Sequence, residues 1–231
     1  MSNIISARHE LKYYINYIDY MNLKSRLSAI FTLDKNANSE GYYLVRSLYF
    51  DNKSNNNYYE KLSGVENRNK YRIRIYNLST SPVKLEIKSK AGSVILKEST
   101  IINATDAGKL ISGDCSCLLD YRNKTANKIY YQFTRDHYRP VVIIDYIRDA
   151  YHFDLNNIRI TFDRKIKKNE VDFNGLFKKH IDMSHVLGNS KIVMEIKYSG
   201  TIPVWIKNIL QLDRFEWCAI SKYTLSRYIE G

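Results

Sequence analysis

The chain has 231 residues, with 36 Lys+Arg against 24 Asp+Glu, a net charge of +12. That length allows one large domain or two small ones. The charge favours polyanionic partners: nucleic acid, phosphate-rich metabolites or an anionic membrane surface. The 20 Tyr, 3 Pro and 9 Gly describe an ordered, β-capable chain without long linkers. No segment has the apolar length of a membrane span, and no signal-peptide core opens the sequence. The 3 Cys and 5 His are too scattered for a zinc site, and Cys115, Cys117 and Cys218 read as free thiols of a cytoplasmic protein.

Arg8-His9-Glu10-Leu11-Lys12-Tyr13-Tyr14-Ile15 alternates with a period of two and predicts a strand over about residues 8–17, with Glu10 and Lys12 on one face. A helix follows, with Leu23, Leu27, Ile30 and Phe31 on one side and Asp19 as its cap. Residues 42–51 predict a second strand whose only cation is Arg46, and Asp51 is expected to cap a turn into a polar loop over 52–57. Lys70-Tyr71-Arg72-Ile73-Arg74-Ile75-Tyr76 alternates cation and apolar residue. Lys70, Arg72 and Arg74 would repel one another side by side, so an anion or acidic neighbours on adjacent strands must answer them.

Val83-Lys84-Leu85-Glu86-Ile87-Lys88-Ser89-Lys90 repeats the design, and Ala91-Gly92 turns it into a partner strand over 93–102. Residues 104–133 read as two helices with a break. Pro140 opens an apolar run that ends at Arg148, and residues 157–164 place Arg159, Thr161 and Asp163 on one face. Residues 165–190 are weakly patterned; Lys165, Lys167 and Lys168 read as a solvated surface run. Residues 192–198 set Glu195 and Lys197 against Ile192, Met194 and Ile196. A helix is expected after Thr201 or Ile202, with Pro203 in its first turn, and another near Ser221-Lys222-Tyr223. Trp205 and Trp217 are expected to pack these last helices.

Every strand thus joins an apolar face to a charged one. If helices cover the apolar faces of a closed sheet, the charged faces look inward. An interior of Arg, Lys and Glu has no stable form as a dry core. It suits a multiply charged anion, with guanidinium forks for phosphate and carboxylates for a divalent oxygen-liganded metal, Mn2+ or Mg2+.

In order along the sequence, Arg8-His9-Glu10-Leu11-Lys12-Tyr13, Arg46-Ser47-Leu48-Tyr49-Phe50-Asp51, Lys70-Tyr71-Arg72-Ile73-Arg74, Leu85-Glu86-Ile87-Lys88, Tyr146-Ile147-Arg148, Arg159-Ile160-Thr161-Phe162-Asp163, Met194-Glu195-Ile196-Lys197 and Ser221-Lys222-Tyr223 resemble the VTC-domain polyphosphate polymerase branch of the triphosphate tunnel metalloenzymes. Arg8 stands where the wider superfamily opens its Glu-x-Glu-x-Lys motif, a departure that fits the polymerase branch.

The resemblance implies an α+β fold, a closed antiparallel β-barrel of about eight strands with a charged interior and helices outside, as a single domain over 1–231. It implies transfer of the γ-phosphate of ATP to inorganic polyphosphate. Phosphate-binding roles fall on Lys12, Arg46, Arg72, Arg74, Lys88, Arg148, Arg159, Lys197 and Lys222. Of these, Lys12, Arg72, Arg74, Arg148 and Lys222 take catalytic roles. Glu195 becomes the principal metal ligand, assisted by Glu10 and Glu86.

Other readings are a triphosphatase or tripolyphosphatase of the same fold, and a non-catalytic domain binding polyphosphate or inositol phosphates. A single-stranded nucleic-acid binder also accounts for the charge and the tyrosines. Carboxylates among the cations argue against it, and no nucleic acid is expected. No P-loop, kinase glycine loop or zinc-finger spacing is present. Any membrane association would come through a partner protein.

Overall fold

The computed structural model describes residues 8–92, 94–188 and 190–227. The opening residues read for a signal core, and Ser93 at the expected start of a strand, lie outside that set. In chain order the elements are β1 (Arg8–Ile15), α1 (Tyr17–Ser28), β2 (Thr32–Leu33), β3 (Tyr43–Asp51), α2 (Asn56–Leu62), β4 (Arg68–Tyr76), β5 (Val83–Ala91) and β6 (Val94–Ile102). Then come α3 (Ala104–Ile111), α4 (Lys124–Asp136), β7 (Arg139–Phe153), β8 (Ile158–Asn169), β9 (Ser184–His185), β10 (Ile192–Ser199), α5 (Val204–Leu210) and α6 (Lys222–Arg227). The class is α+β, with antiparallel ladders joining β1 to β10, β10 to β8, β2 to β7, β3 to β4, β4 to β5, β5 to β6 and β8 to β9.

The chain forms two compact units. The first comprises residues up to Leu44 with Tyr146–Ile166 and Leu187–Ile220; the second comprises Val45–Asp145, Lys167–Val186 and the residues from Ser221.

In the first unit the strand order is β1-β10-β8-β7. The register sets Tyr13 opposite Met194 and Met194 opposite Phe162, so the apolar positions fall in rows across three strands. Tyr20, Leu23 and Leu27 of α1, with Ile206 and Leu210 of α5, bury those rows. Each aliphatic or aromatic side chain so buried contributes about 1.5–3 kcal/mol. Asn16 caps α1, accepting the Asp19 N–H at 2.8 Å. The cap is therefore Asn16 and not the expected Asp19, which lies in the first turn, where its charge favours the helix N-terminus. α5 begins one residue later than expected, with Pro203 at its cap. Trp205 meets Phe153 edge-on, whereas Trp217 is 59% exposed and forms an isolated bridge with Tyr13 of β1.

The second unit orders its strands β7-β3-β4-β5-β6. Phe50, Tyr71, Ile73, Leu85 and Ile87 face Ala107 and Leu110 of α3 and Ala126, Ile129 and Phe133 of α4. Asn103 and Asn123 cap these helices through the N–H groups of Asp106 and Ala126. Asp51 does more than end a strand. Its carboxylate accepts from the backbone N–H of Asn52, Asn57 and Tyr58, starting the unexpected helix α2, and from the Tyr223 hydroxyl.

The expected closed barrel is corrected by the ladders. Among the described residues β1 has one strand neighbour, β10, and β6 has one, β5. Closure would give every strand two. Eight long strands are present as expected, with the two-residue β2 and β9 beside β7 and β8. β8 also continues to Asn169, so the basic run 165–168 is strand, with Ile166 buried. No helix among the described residues is long and apolar enough to cross a membrane.

Candidate active site

Because helices cover one face of each sheet segment, period-two alternation sends the charged residues to the other. In the first unit, register pairs Glu10 with Lys197, Lys197 with Arg159, Lys12 with Glu195, and Glu195 with Thr161. The four central charges form a ring. Lys12 Nζ contacts Glu10 Oε1 and lies 3.5 Å from Glu195 Oε2; Lys197 Nζ is 2.6 Å from Glu195 Oε1 and 3.8 Å from Glu10 Oε2. Burial pushes the Lys12 ammonium's pKa down, but Glu195 and Glu10 more than offset this and raise it, so Lys12 is fully charged at neutral pH.

Arg148 donates to both oxygens of Asp163, at 2.6 and 2.7 Å. Burial opposes its charge, but the Asp163 carboxylate beside it, with Tyr146 and Glu195, raises its pKa well above the usual arginine value. Arg159 reaches Asp34 at 2.7 Å and the Tyr43 hydroxyl at 3.1 Å. Cations and carboxylates here are nearly balanced.

The second unit is different. Register sets Lys70 opposite Lys88, Lys88 opposite Lys97, and Arg74 opposite Lys84, with Arg72 opposite Glu86 between those rows. One carboxylate thus stands among six cations. Arg72 Nε donates to Glu86 Oε2 at 2.6 Å, and Lys97 Nζ lies 2.5 Å from Glu86 Oε1 as an ion pair rather than an aligned hydrogen bond. Burial alone would raise the Glu86 pKa; Arg72, Arg74 and Lys97 overcome it and hold it down to about 2. Like charges directly opposite one another destabilise a sheet, so the Lys70–Lys88–Lys97 row marks a place suited to an anion.

Tyr49 belongs to the same cluster. Arg72 donates to its hydroxyl at 3.1 Å, and its ring stacks on Tyr223. Burial would raise its pKa, but Arg72, Arg74 and Lys222 lower it overall. Lys222 is set at the start of α6, which is anchored by Tyr223 to Asp51, by Lys70 to Ser221 Oγ at 2.8 Å, and by Arg227 to the Val141 carbonyl at 3.3 Å.

Arg46 is engaged differently from these donors. It is 2% exposed. Its Nε and Nη2 donate to Asp145 at 2.7 Å each, and its Nη1 donates to the carbonyls of Gly175, Leu176 and Lys178 at 2.9, 3.3 and 2.7 Å. The guanidinium holds a 3-10 turn over Phe173–Phe177 to β3 and β7. Arg46→Met is therefore expected to lose about 3–5 kcal/mol in urea unfolding, because it strands Asp145 without its partner. Binding of tripolyphosphate by the folded fraction should change little.

The structure brings Glu10, Lys12, Glu195 and Lys197 together, with Arg148 and Arg159 on the neighbouring strands of that unit. It brings Arg72, Arg74, Lys88 and Glu86 together in the other, with Lys222 charged against Tyr49. Sequence reasoning passed over Lys97, Lys84 and Tyr49. Counting outward from the β5–β6 turn, with Ala91 opposite Val94, reaches Lys97 opposite Lys88. The turn was expected at Ala91-Gly92, but Ala91 is still the last residue of β5, opposite Val94, which shifts that count.

Among the described residues no group of three or more His, Cys, Asp or Glu gathers as a metal cage. Glu10 and Glu195 do share their two ammonium partners. One or two carboxylates suit a Mg2+-type ion that takes its remaining ligands from water and substrate phosphates. The donor set fits a cation that arrives with a phosphate chain.

No curated protein matches the sequence closely enough to compare. Among solved structures, a Hippeastrum protein designated an adenylyl cyclase and described as having a dominant triphosphatase activity aligns with a TM-score of 0.59 at 15% identity, over 95% of this chain and 95% of that one. A Bacillus halodurans protein designated an adenylate cyclase aligns with a TM-score of 0.55 at 11% identity, over 93% and 95%. Identities this low bear on the fold alone, which this chain shares with both proteins. The VTC domain model matches residues 7–229, almost the whole sequence and both charged clusters; the chain belongs to the VTC domain family.

Proposed function

We propose that the chain is a polyphosphate polymerase, moving the γ-phosphate of ATP onto the end of an inorganic polyphosphate chain and releasing ADP. The observation that carries this is the opposed cation row Lys70–Lys88–Lys97 beside Arg72 and Arg74, an arrangement that favours a multiply charged anion. Family membership and the carboxylates of Glu10 and Glu195 support it.

Phosphoryl transfer asks for positioning and charge neutralisation rather than covalent help. Arg72 and Arg74, with Lys88 and Lys222, hold phosphate oxygens through directed N–H donors. Lys12, Arg148, Arg159 and Lys197 do the same in the other unit, with Lys12 kept protonated by its carboxylates. Asp163 fixes the Arg148 fork through two hydrogen bonds. Divalent cations serve this family; Glu195 and Glu10 would hold Mn2+ or Mg2+ here, and the ion would supply charge neutralisation. Glu86, engaged by Arg72 and Lys97, tunes those donors.

The acceptor is a phosphate terminus already ionised at neutral pH, so transfer needs no strong base. A hydrolase would need a carboxylate to activate water, and Glu10 is occupied by two ammonium groups. The test is purified protein with γ-labelled ATP and Mn2+, products resolved on a gel, with and without EDTA. A labelled polyphosphate ladder abolished by EDTA is the expected result. Free phosphate alone would make the protein a triphosphatase, and tight polyphosphate binding without either product would make it a binding domain.

A further inference from the structure

Thr161 lies at the centre of the first unit's charged face, between Arg159 and Asp163 along β8 and directly opposite Glu195 across the β8–β10 ladder. It is 3% exposed, and among the described residues its hydroxyl has no hydrogen-bond partner. A buried hydroxyl without a partner destabilises the fold that contains it, since its bonds to water are lost and not replaced. A Val would fill the same strand position without that cost, and Val also favours strands.

The immediate neighbour suggests where the missing bond forms. Side chains directly opposite across an antiparallel pair have Cβ atoms about 4.5–5.5 Å apart, which puts the Glu195 carboxylate within reach of the Thr161 O–H. In the ligand-free protein Lys12 and Lys197 each engage one oxygen of that carboxylate. Both lysines also belong to the proposed phosphate-binding set. When phosphate draws them away, Glu195 loses the two contacts that orient it.

We propose that Thr161 is a positioning residue for Glu195: its hydroxyl donates to one carboxylate oxygen in the ligand-bound state, leaving the other turned toward the divalent cation. Resting on the phosphoryl-transfer reading, this gives the orphaned hydroxyl a partner in the state where the protein works. Orienting hydrogen bonds of this kind set ligand geometry at metal sites, and their loss weakens metal binding about 10–100-fold.

The test measures Mn2+ binding by titration calorimetry and by the loss of the free Mn2+ electron paramagnetic resonance signal. Inorganic tripolyphosphate is present, and the wild type, Thr161→Val and Thr161→Ser are compared. Thermal midpoints are recorded with no ligand and with tripolyphosphate alone. The expected result has three parts: Thr161→Val melts at or above the wild-type temperature without ligand, binds Mn2+ at least 10-fold more weakly with tripolyphosphate, and recovers most of the affinity as Thr161→Ser. Wild-type affinity in Thr161→Val overturns the proposal while leaving the phosphoryl-transfer reading intact. So does a loss that Thr161→Ser fails to restore, or a lowered midpoint without ligand, since either marks a packing role. A wild-type protein that binds neither Mn2+ nor tripolyphosphate overturns both readings.

Discussion

On the proposed function, Glu195→Gln is expected to lower labelled-phosphate transfer from ATP by roughly 10²–10³-fold, the range typical of removing one preorganised charge-stabilising group. The substitution keeps the shape of a side chain that is 6% exposed, so the sheet has no cavity to absorb. It removes the charge that Lys12 and Lys197 share, but Glu10 remains beside both ammonium groups. The lysines therefore keep a carboxylate neighbour, and the loss falls on the cation and on the transferring phosphoryl group. Single-turnover rates across a Mn2+ series separate the two contributions. A defect that shrinks as Mn2+ rises locates it in metal affinity, and one that persists at saturation locates it in the chemical step. Less than a 3-fold change at every Mn2+ concentration would remove Glu195 from the mechanism.

Glu86→Gln has its largest effect on stability, and that effect depends on pH. The carboxyl is held from 4.5 down to about 2, with burial opposing and Arg72, Arg74 and Lys97 prevailing. A folded-state pKa below the unfolded one stabilises the fold above the unfolded value and ceases to do so as pH falls through the folded value. At 1.36 kcal/mol per pKa unit the contribution is about 3 kcal/mol at neutral pH. Urea unfolding at pH 7 should show Glu86→Gln weaker by about that amount. The two proteins should converge progressively from about pH 4.5 toward pH 2. A constant difference across that range would mean that the glutamine disturbs packing rather than charge. Polyphosphate affinity at pH 7 should rise, since the only carboxylate among the six cations is gone.

The charged face was legible because alternation is a local property, and the need for acids among the cations followed from repulsion alone. Arg72 opposite Glu86 and Lys12 opposite Glu195 are the answering pairs. Arg46 looked like its neighbours by residue type, but the register sets it opposite Ile75, on the apolar face with Leu48 and Phe50 rather than on the face of Arg72 and Arg74. The Asp145 carboxylate and the carbonyls that take its donors arrive from about 100 or more residues away, and no local pattern announces them. The shift of the α1 cap from Asp19 to Asn16 reflects a competition between two good capping residues three positions apart, which backbone geometry decides. Helix α2 was hidden because its start is a run of asparagines that reads as loop; the buried Asp51 carboxylate organises it. Strand alternation shows which way side chains point, but not which strands lack a second neighbour, and that is where the expected closure failed.

The row of lysines across β4, β5 and β6 gives polyanions a second role besides substrate. Whatever binds the folded row and not the unfolded chain stabilises the fold in proportion to the logarithm of its concentration. Without phosphate the sheet works against its own electrostatic pressure, and with it the same charges become a source of cohesion. On the proposed function, the stability of the fold is in this way coupled to the supply of phosphate chains. Added salt weakens both the pressure and the cohesion, because it screens the charges that produce them.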